Sequence, residues 1–223
     1  MTDRPIIFSA TMVNALLAGR KTMTRRILKR QPETFLVGSE PCRVELIHLE
    51  GEPLPRVALG NVITRQEVRY AVGDRLWVRE NHRLTDCECT EACRGAGHVW
   101  YEATSEGYRN VAGNKLRPSI HMPRYASRLT LIVNGVKVEK LQDISEADAM
   151  AEGCKAIRDH CHVFEGTGYD KAGLCHSAAS TAFSILWDEI NGPGAWDANP
   201  YVVAVSFRVV KANIDSDELR AAA

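Results

Sequence analysis

The sequence of 223 residues lacks several features that would each point to a class of protein. It carries no net charge, since 28 Lys and Arg residues balance 28 Asp and Glu residues, so no overall basicity marks a nucleic-acid binder. No apolar run approaches the roughly 20 residues that span a bilayer. The first 21 residues lack the layout of a signal peptide. These absences favour a cytoplasmic protein without membrane contact.

Internal repeats and a Gly-rich phosphate loop are also missing, and strands do not alternate with helices. A doubly wound nucleotide-binding sheet is therefore disfavoured. Several short strands with few helices favour a mixed α+β fold, an antiparallel barrel with short flanking helices. We expect one domain over residues 1–212, with Cys/His-rich insertions at about 86–98 and 154–176, and a flexible tail at 213–223.

Local signals mark the main elements. Ser9 precedes apolar residues at helical spacing and predicts a helix cap, and Gly19 predicts the end of that helix. The following run KTMTRRIL reads as a strand. An Asn134-Gly135 pair between two β runs predicts a hairpin, and ISEADAMAEG predicts a short helix capped by Ser145.

Charge is distributed less evenly than the total suggests. Residues 1–30 hold seven Lys and Arg residues against one acid, and residues 107–138 hold six and no acid. Such segments attract phosphates if they form one face, although locally basic surfaces are also common without a ligand.

The seven cysteines are an odd number, and without a secretion signal they argue against a disulfide framework. Cys87, Cys89, Cys93 and His98 offer three thiolates and an imidazole, which suit a structural zinc ion. Their spacing departs from the common C-x2-C pattern, so the second insertion stays open as an alternative source of ligands: His160, Cys161, His162, Cys175 and His176. We expect no cofactor for catalysis.

The segment LLAGRKTMTRR resembles the signature of ASCH domains, a Gly-x-Lys-x-x-Glu-x-Arg pattern. Gly19, Lys21 and Arg26 fill three of its positions. Thr24 replaces the glutamate, as in small bacterial N4-acetylcytidine amidohydrolases, which share a similar AGRKTxTxR run. The resemblance implies a PUA-like antiparallel β-barrel with a cleft around Lys21.

The same resemblance implies a catalytic set. Lys21 would act as the base, Thr24 as the nucleophile, and Glu152 as the proton donor, with Arg26 positioning the substrate. Glu152 is assigned by its place in the helix after the predicted hairpin, which is a looser correspondence than the motif.

Other strings resemble a group of phage and prophage proteins, and this resemblance covers most of residues 5–210 apart from the insertions. It implies a bacterial or phage-infected cell. The strings are GDRLWVRE, LRPSIHMPRYASRLTL, LQDISEADAMAEG and WDANPYVVAVSF.

The residues themselves set conditions on this chemistry. A threonine hydroxyl needs an adjacent base, yet Lys21 and Thr24 lie three apart and would face opposite ways on a regular strand. The chain after Gly19 must therefore bend. A lysine base also needs a lowered pKa, which burial or nearby cations supply. The candidate substrate-binding residues are Arg20, Arg25, Arg26, Ser119, His121 and Arg124.

Three functions remain open at this point. The first is an amidohydrolase-like enzyme acting on an N4-acylated pyrimidine nucleoside or nucleotide. The second is a non-catalytic RNA- or DNA-binding module, and the third is an ASCH-type ribonuclease. For the first we expect Lys21, Thr24, Arg26 and Glu152 to converge on a partly exposed pocket, which the RPSIHMPR loop closes on one side. No protein partner is inferable.

Overall fold

The computed structural model describes residues 2–32, 36–37, 40–41, 44–52, 54–60, 62–85, 98–104, 115–217 and 219. At 36–37, 40–41, 62–67, 85 and 98 it describes the backbone alone. The chain divides into two compact units, each assembled from separated segments. The first unit comprises Met1, Arg20–Asp74 and Val133–Arg208, and the second comprises Thr2–Gly19, Arg75–Ile132 and Val209–Ala223. The single domain expected over residues 1–212 stays a prediction.

The described part contains four α-helices and fourteen strands. The helices are α1 (Ala10–Leu17), α2 (Glu146–Ala151), α3 (Gly168–Lys171) and α4 (Ala179–Asn191). The strands are β1 (Asp3–Ile7), β2 (Met23–Ile27), β3 (Leu36–Val37), β4 (Glu40–Pro41), β5 (Val44–Ile47), β6 (Arg56–Leu59), β7 (Val62–Glu67), β8 (Arg75–Arg79), β9 (His82–Thr85), β10 (His98–Tyr101), β11 (Thr130–Lys140), β12 (Lys155–Arg158), β13 (Cys161–Val163) and β14 (Tyr201–Val210). None of these helices is long and apolar enough to cross a membrane.

The largest sheet has five strands in the order β1-β8-β11-β14-β2. β1 runs parallel to β8, whereas β11 is antiparallel to β8 and β14 is antiparallel to β2. The sheet ends on β1 and β2, so the predicted PUA-like antiparallel barrel is wrong for the described residues: the fold is mixed α/β on an open sheet. A closed barrel needs its edge strands to pair, and here the other described strands form four small separate sheets instead: β3-β4, β5-β6-β7, β9-β10 and β12-β13.

The predicted helix signals are confirmed. The Ser9 hydroxyl accepts a hydrogen bond from the Met12 amide at 3.4 Å and caps α1, and Gly19 after the helix adopts a φ of +73°. That left-handed conformation favours glycine. The Ser145 hydroxyl likewise accepts a hydrogen bond from the Asp148 amide at 3.1 Å, at the start of α2.

An aromatic core in the first unit fixes α2 and α4. Phe183 and Trp187 of α4 are nearly fully buried, and the Phe183 ring lies 5.9 Å from the rings of both Trp187 and Phe164. Ala149 of α2 and Val202 of β14 belong to the same buried cluster. This packing holds the end of α2, where Glu152 lies.

Some of the described residues after 212 are packed within the second unit, and the flexible tail expected over 213–223 stays a prediction. In the second unit the Asn213 side-chain amide donates hydrogen bonds to the carbonyl oxygens of Arg124, Tyr125 and Ser127. Ile214 is 1% exposed. These three hydrogen bonds anchor Asn213 to the loop. The composition of the sequence gives no sign of this contact.

β11 runs unbroken through Asn134-Gly135, so the predicted hairpin is wrong. The reason lies on the neighbouring strand within the first unit. A Cβ atom at position 135 would lie 2.5 Å from the Ser206 hydroxyl oxygen. Glycine within a strand often marks such a close approach of another chain segment. Here the missing side chain leaves room for Ser206 of β14, and the glycine does not form a turn.

We predict that Gly135→Ala lowers the free energy of unfolding by about 1 kcal/mol, because the new methyl group overlaps the Ser206 hydroxyl. Urea denaturation should show that Ser206→Ala changes stability little by itself and restores the double variant, since the overlapping oxygen is then gone. A double variant that is no more stable than Gly135→Ala would contradict this explanation of Gly135.

Candidate functional site

The site begins where the chain enters β2 in the first unit. Lys21 forms an isolated antiparallel bridge with Glu152, and the Thr22 amide donates a 2.8 Å hydrogen bond to the Ala151 carbonyl oxygen. Lys21 therefore precedes the regular strand. Backbone pairing attaches this segment to the C-terminal end of α2, whose cap residue is Glu152.

Lys21 and Glu152 form a buried ion pair across 131 residues of sequence. The Lys21 Nζ atom lies 2.7 Å from Glu152 Oε2 and donates a second hydrogen bond, of 2.8 Å, to the Glu152 carbonyl oxygen. Their exposed fractions are 1% and 4%. A buried ammonium is tolerated only with such partners. The expected proximity of these two groups is observed; their catalytic roles stay predictions.

The surroundings of Lys21 lower its pKa below the ordinary value of 10.5. Burial is the main cause, because it disfavours the charged form. The Glu152 carboxylate opposes this effect, and the positive charges of Arg26 and Arg25 add to it. The net effect is that Lys21 gives up its proton more readily than an exposed lysine does.

Thr24 lies within β2, where it is opposite Val205 of β14. It is 3% exposed, and its neighbour Arg25 is 4% exposed. Adjacent residues of a strand point to opposite faces, so β2 is covered on both faces at this point. Lys21, Thr24 and Glu152 are thus nearly completely buried, which differs from the partly exposed pocket that we expected.

Arg25 is the centre of a larger ion-pair network. Its side chain is fully buried and contacts three carboxylates. The Nη2 atom lies 2.7 Å from Glu139 Oε1 and 2.8 Å from Asp148 Oδ2, and the Nη1 atom lies 3.2 Å from Glu152 Oε1. The guanidinium group is therefore engaged by protein carboxylates, in contrast to the substrate-binding role that the sequence suggested, and we assign it no substrate contact.

Lys137 completes this network on its outer side. Its Nζ atom lies 2.6 Å from Asp148 Oδ2 and 2.9 Å from Glu139 Oε2. Burial would raise the pKa of Asp148, but the charges of Lys137 and Arg25 outweigh burial and lower it. Three cations and three carboxylates thus form a chain of ion pairs with no net charge, which runs from Lys21 through Glu152 and Arg25 to Lys137.

Sequence reasoning missed Glu139, Asp148 and Lys137, although periodicity carries a signal for them. Asp148 and Glu152 lie four residues apart, which places them on one face of a helix. Lys137 and Glu139 lie two apart on β11 and so share one face of the strand. Only the ion pairs from Arg25 of β2 to Glu139 of β11 and Asp148 of α2 were needed to connect these two signals.

The other two arginines of the motif are less buried. Arg20 Nη2 lies 2.8 Å from Glu165 Oε2, in a partly exposed ion pair. Arg26 lies opposite Val203 in the sheet and is half-buried. After burial, its positive charge is one of the smaller causes that lower the pKa of Lys21.

Ser119, His121 and Arg124 belong to the second unit and lie on two short 3-10 helices, Ser119–His121 and Arg124–Ala126. His121 is exposed. The Ser119 amide donates a 2.9 Å hydrogen bond to the Asn81 side-chain oxygen.

Arg124 is engaged by two carboxylates of its own unit. Two hydrogen bonds of 2.7 and 2.8 Å join it to Asp215, and a third of 2.5 Å joins it to Asp3. These hydrogen bonds, with that to Asp215 the main cause, raise the pKa of Arg124 above its ordinary value. We therefore assign Arg124 a structural ion pair rather than a substrate contact.

The predicted zinc ligands Cys87, Cys89 and Cys93 lie outside the described residues, as does the His98 side chain. A zinc site there stays a prediction. In the second insertion Cys161 and Cys175 form a disulfide bond, which the cysteine count did not indicate. Among the residues that the structure describes, no group of three His, Cys, Asp or Glu side chains is arranged to hold a metal ion.

Comparison with known proteins adds no relative. No protein-family model, no curated protein and no solved structure matches this chain.

We predict that Arg25→Met lowers the free energy of unfolding by about 3–5 kcal/mol, because it leaves buried carboxylates without their shared cation. Arg20→Met is the matched control: its ion pair is partly exposed, and its loss should cost at most about 1 kcal/mol. Urea denaturation of both variants tests this difference. Equal small effects would show that the network around Arg25 adds little to stability.

Proposed function

We propose that this protein is an ASCH-type amidohydrolase that removes the acyl group from an N4-acylated cytidine, as a nucleoside or nucleotide. The observation that carries this proposal is the 2.7 Å contact between Lys21 Nζ and Glu152 Oε2. The resemblance to N4-acetylcytidine amidohydrolases requires a lysine from the AGRKT segment beside a glutamate from a distant helix. A pair of this kind is an unusual structural solution for a buried position, since two apolar residues fill such space at lower desolvation cost.

The pair can supply a base and an acid at once. In the resting state it consists of an ammonium and a carboxylate. Transfer of one proton from Lys21 to Glu152 gives a neutral amine and a carboxylic acid. Burial favours this neutral form, in agreement with the lowered pKa of Lys21.

Acyl transfer then follows from these two groups and Thr24. The Lys21 amine takes the Thr24 hydroxyl proton as the oxygen attacks the acyl carbonyl carbon. The bond from that carbon to N4 of the cytosine breaks, and Glu152 gives its proton to N4. An ester on Thr24 and unmodified cytidine result, and Lys21 and Glu152 have regained their resting charges.

Hydrolysis of the ester repeats the same proton transfers with water. After a second transfer from Lys21 to Glu152, the amine takes a proton from water, and the oxygen of that water attacks the ester carbon. The Thr24 oxygen leaves and takes a proton from Glu152. The products are a carboxylic acid and the restored enzyme. Because all three groups are nearly buried, the substrate must enter by displacing neighbouring side chains, and closure around it would then exclude bulk water.

We predict that the purified protein releases acetate from N4-acetylcytidine. Thr24→Val removes the hydroxyl at nearly constant volume, and Glu152→Gln removes the acid. Each should lower kcat by about 100-fold or more, the usual contribution of such groups. Thr24→Ser keeps a hydroxyl and should retain measurable turnover. Thr22→Val is the matched control, since Thr22 is exposed and two residues away.

Circular dichroism and urea denaturation of each variant separate loss of chemistry from loss of fold. Absence of acyl release by the unaltered protein would reject the proposal. In that case, RNA binding that weakens steeply with salt would indicate the nucleic-acid module, and cleavage of unmodified RNA would indicate the ribonuclease.

We further predict that kcat/KM falls at high pH, where the Lys21–Glu152 pair loses the one proton that the reaction needs, and that the fall lies below the ordinary lysine pKa of 10.5. Arg26→Gln removes a positive charge that lowers the pKa of Lys21, so the descending limb should move to higher pH. Arg30→Gln removes an equal charge from an exposed position and should leave the limb in place. A limb that both variants shift equally would argue against Lys21 as the base.

A further inference from the structure

A second group of polar side chains, within the second unit, takes no part in the proposed reaction. We call Arg79, His82, Arg117 and His121 the basic cluster. His82 begins β9 and is 0% exposed. Its Nδ1 atom lies 3.3 Å from the Glu80 carbonyl oxygen. A carbonyl oxygen only accepts hydrogen bonds, so Nδ1 carries the proton of a neutral ring and Nε2 is directed elsewhere.

Two buried nitrogen atoms of this cluster have no hydrogen-bond partner among the described residues. They are His82 Nε2 and Arg79 Nε. A buried polar atom without a partner is destabilising, and two in neighbouring side chains indicate a site built for a ligand. The rest of the Arg79 guanidinium is held in place: Nη2 donates to the Ile120 carbonyl oxygen, and the group lies 5.2 Å from the centre of the Trp77 ring.

Backbone pairing brings Arg117 to the same side as His82. The two residues form an antiparallel bridge with hydrogen bonds of 3.1 and 2.8 Å between their amides and carbonyl oxygens. Directly opposed residues of an antiparallel pair project from one face. Arg117 is exposed, so its long side chain can reach from solvent toward the buried imidazole.

Among the residues that the structure describes, positive charge surrounds this imidazole without a matching acid. Burial is the main cause that lowers the pKa of His82, and the charges of Arg117, Arg79 and His121 lower it further. The nearby Glu80 carboxylate is already paired, with hydrogen bonds of 2.8 and 2.9 Å from Arg128. Among the described residues the cluster is therefore a local excess of cations.

We propose that the basic cluster binds a phosphate group carried by a nucleotide or a nucleic-acid strand. Arginine guanidinium groups match phosphate oxygens in geometry and charge. A phosphate oxygen can also accept a hydrogen bond from the imidazole nitrogen when that nitrogen is protonated. When it is not protonated, the hydroxyl of a singly protonated phosphate monoester can donate to it, whereas a phosphodiester has no such hydroxyl. The segment after Arg117 carries two exposed apolar side chains, Ile120 with an exposed fraction of 57% and Tyr125 with 69%. An exposed aromatic ring beside a cationic site suits stacking of a base.

The test is a calorimetric titration of the full chain with inorganic phosphate, which measures the affinity directly. Arg117→Gln changes an exposed residue and should fold, and it should weaken phosphate binding about tenfold through loss of one charge-assisted hydrogen bond. Arg79→Gln should act in the same direction. Arg208→Gln removes the same charge from an exposed position of the first unit and should leave phosphate binding unchanged.

The source of the phosphate is distinguished by two further ligands, cytidine monophosphate and a labelled single-stranded oligonucleotide. If the mononucleotide binds as tightly as the oligonucleotide, the site takes a free nucleotide. If the oligonucleotide binds much more tightly, and Arg117→Gln reduces its salt dependence, the site takes a strand. Absence of phosphate binding, or equal weakening by Arg208→Gln, would overturn the proposal, whatever the outcome of the acyl-release assay.

Discussion

The buried contact between Lys21 and Glu152 constrains the first unit more than any other interaction there. The Lys21 ammonium is removed from water and therefore needs a carboxylate beside it. Glu152, at the end of α2, supplies that carboxylate. Glu152 is in turn shared with Arg25, which also requires Glu139 and Asp148. One buried lysine therefore determines where β2, β11 and α2 must meet.

This network has an energetic cost as well as a benefit. Removing charges from water is expensive, and ion pairs recover that cost only when geometry and charge balance are good. Here three cations face three carboxylates at contact distances, so the network is neutral as a whole. A fold that only had to be stable would fill the same space with apolar side chains. The retention of charge at this position is therefore the strongest structural reason to look for chemistry around Lys21.

Local features of the fold were predictable, and its assembly was not. Ser9, Ser145 and Gly19 act through contacts within a few residues, so their patterns can be read from the sequence. The barrel and the hairpin were wrong because both depend on partners far along the chain: β1 pairs in parallel with β8, and Gly135 makes room for Ser206. The pairing of Lys21 with Glu152 was expected from resemblance alone. The engagement of Arg25 and Arg124 by carboxylates was missed, because an arginine in a basic stretch gives no sign of distant acids.

The sequence separation of Lys21 and Glu152 also has a consequence for how the protein matures. These residues are 131 positions apart, and the entropy of closing so long a loop opposes their contact during folding. During synthesis the lysine leaves the ribosome long before its glutamate exists. Until then it is an ordinary solvated amine with no carboxylate to share a proton. The buried ion pair therefore cannot form in the nascent chain, and it arises only when α2 docks.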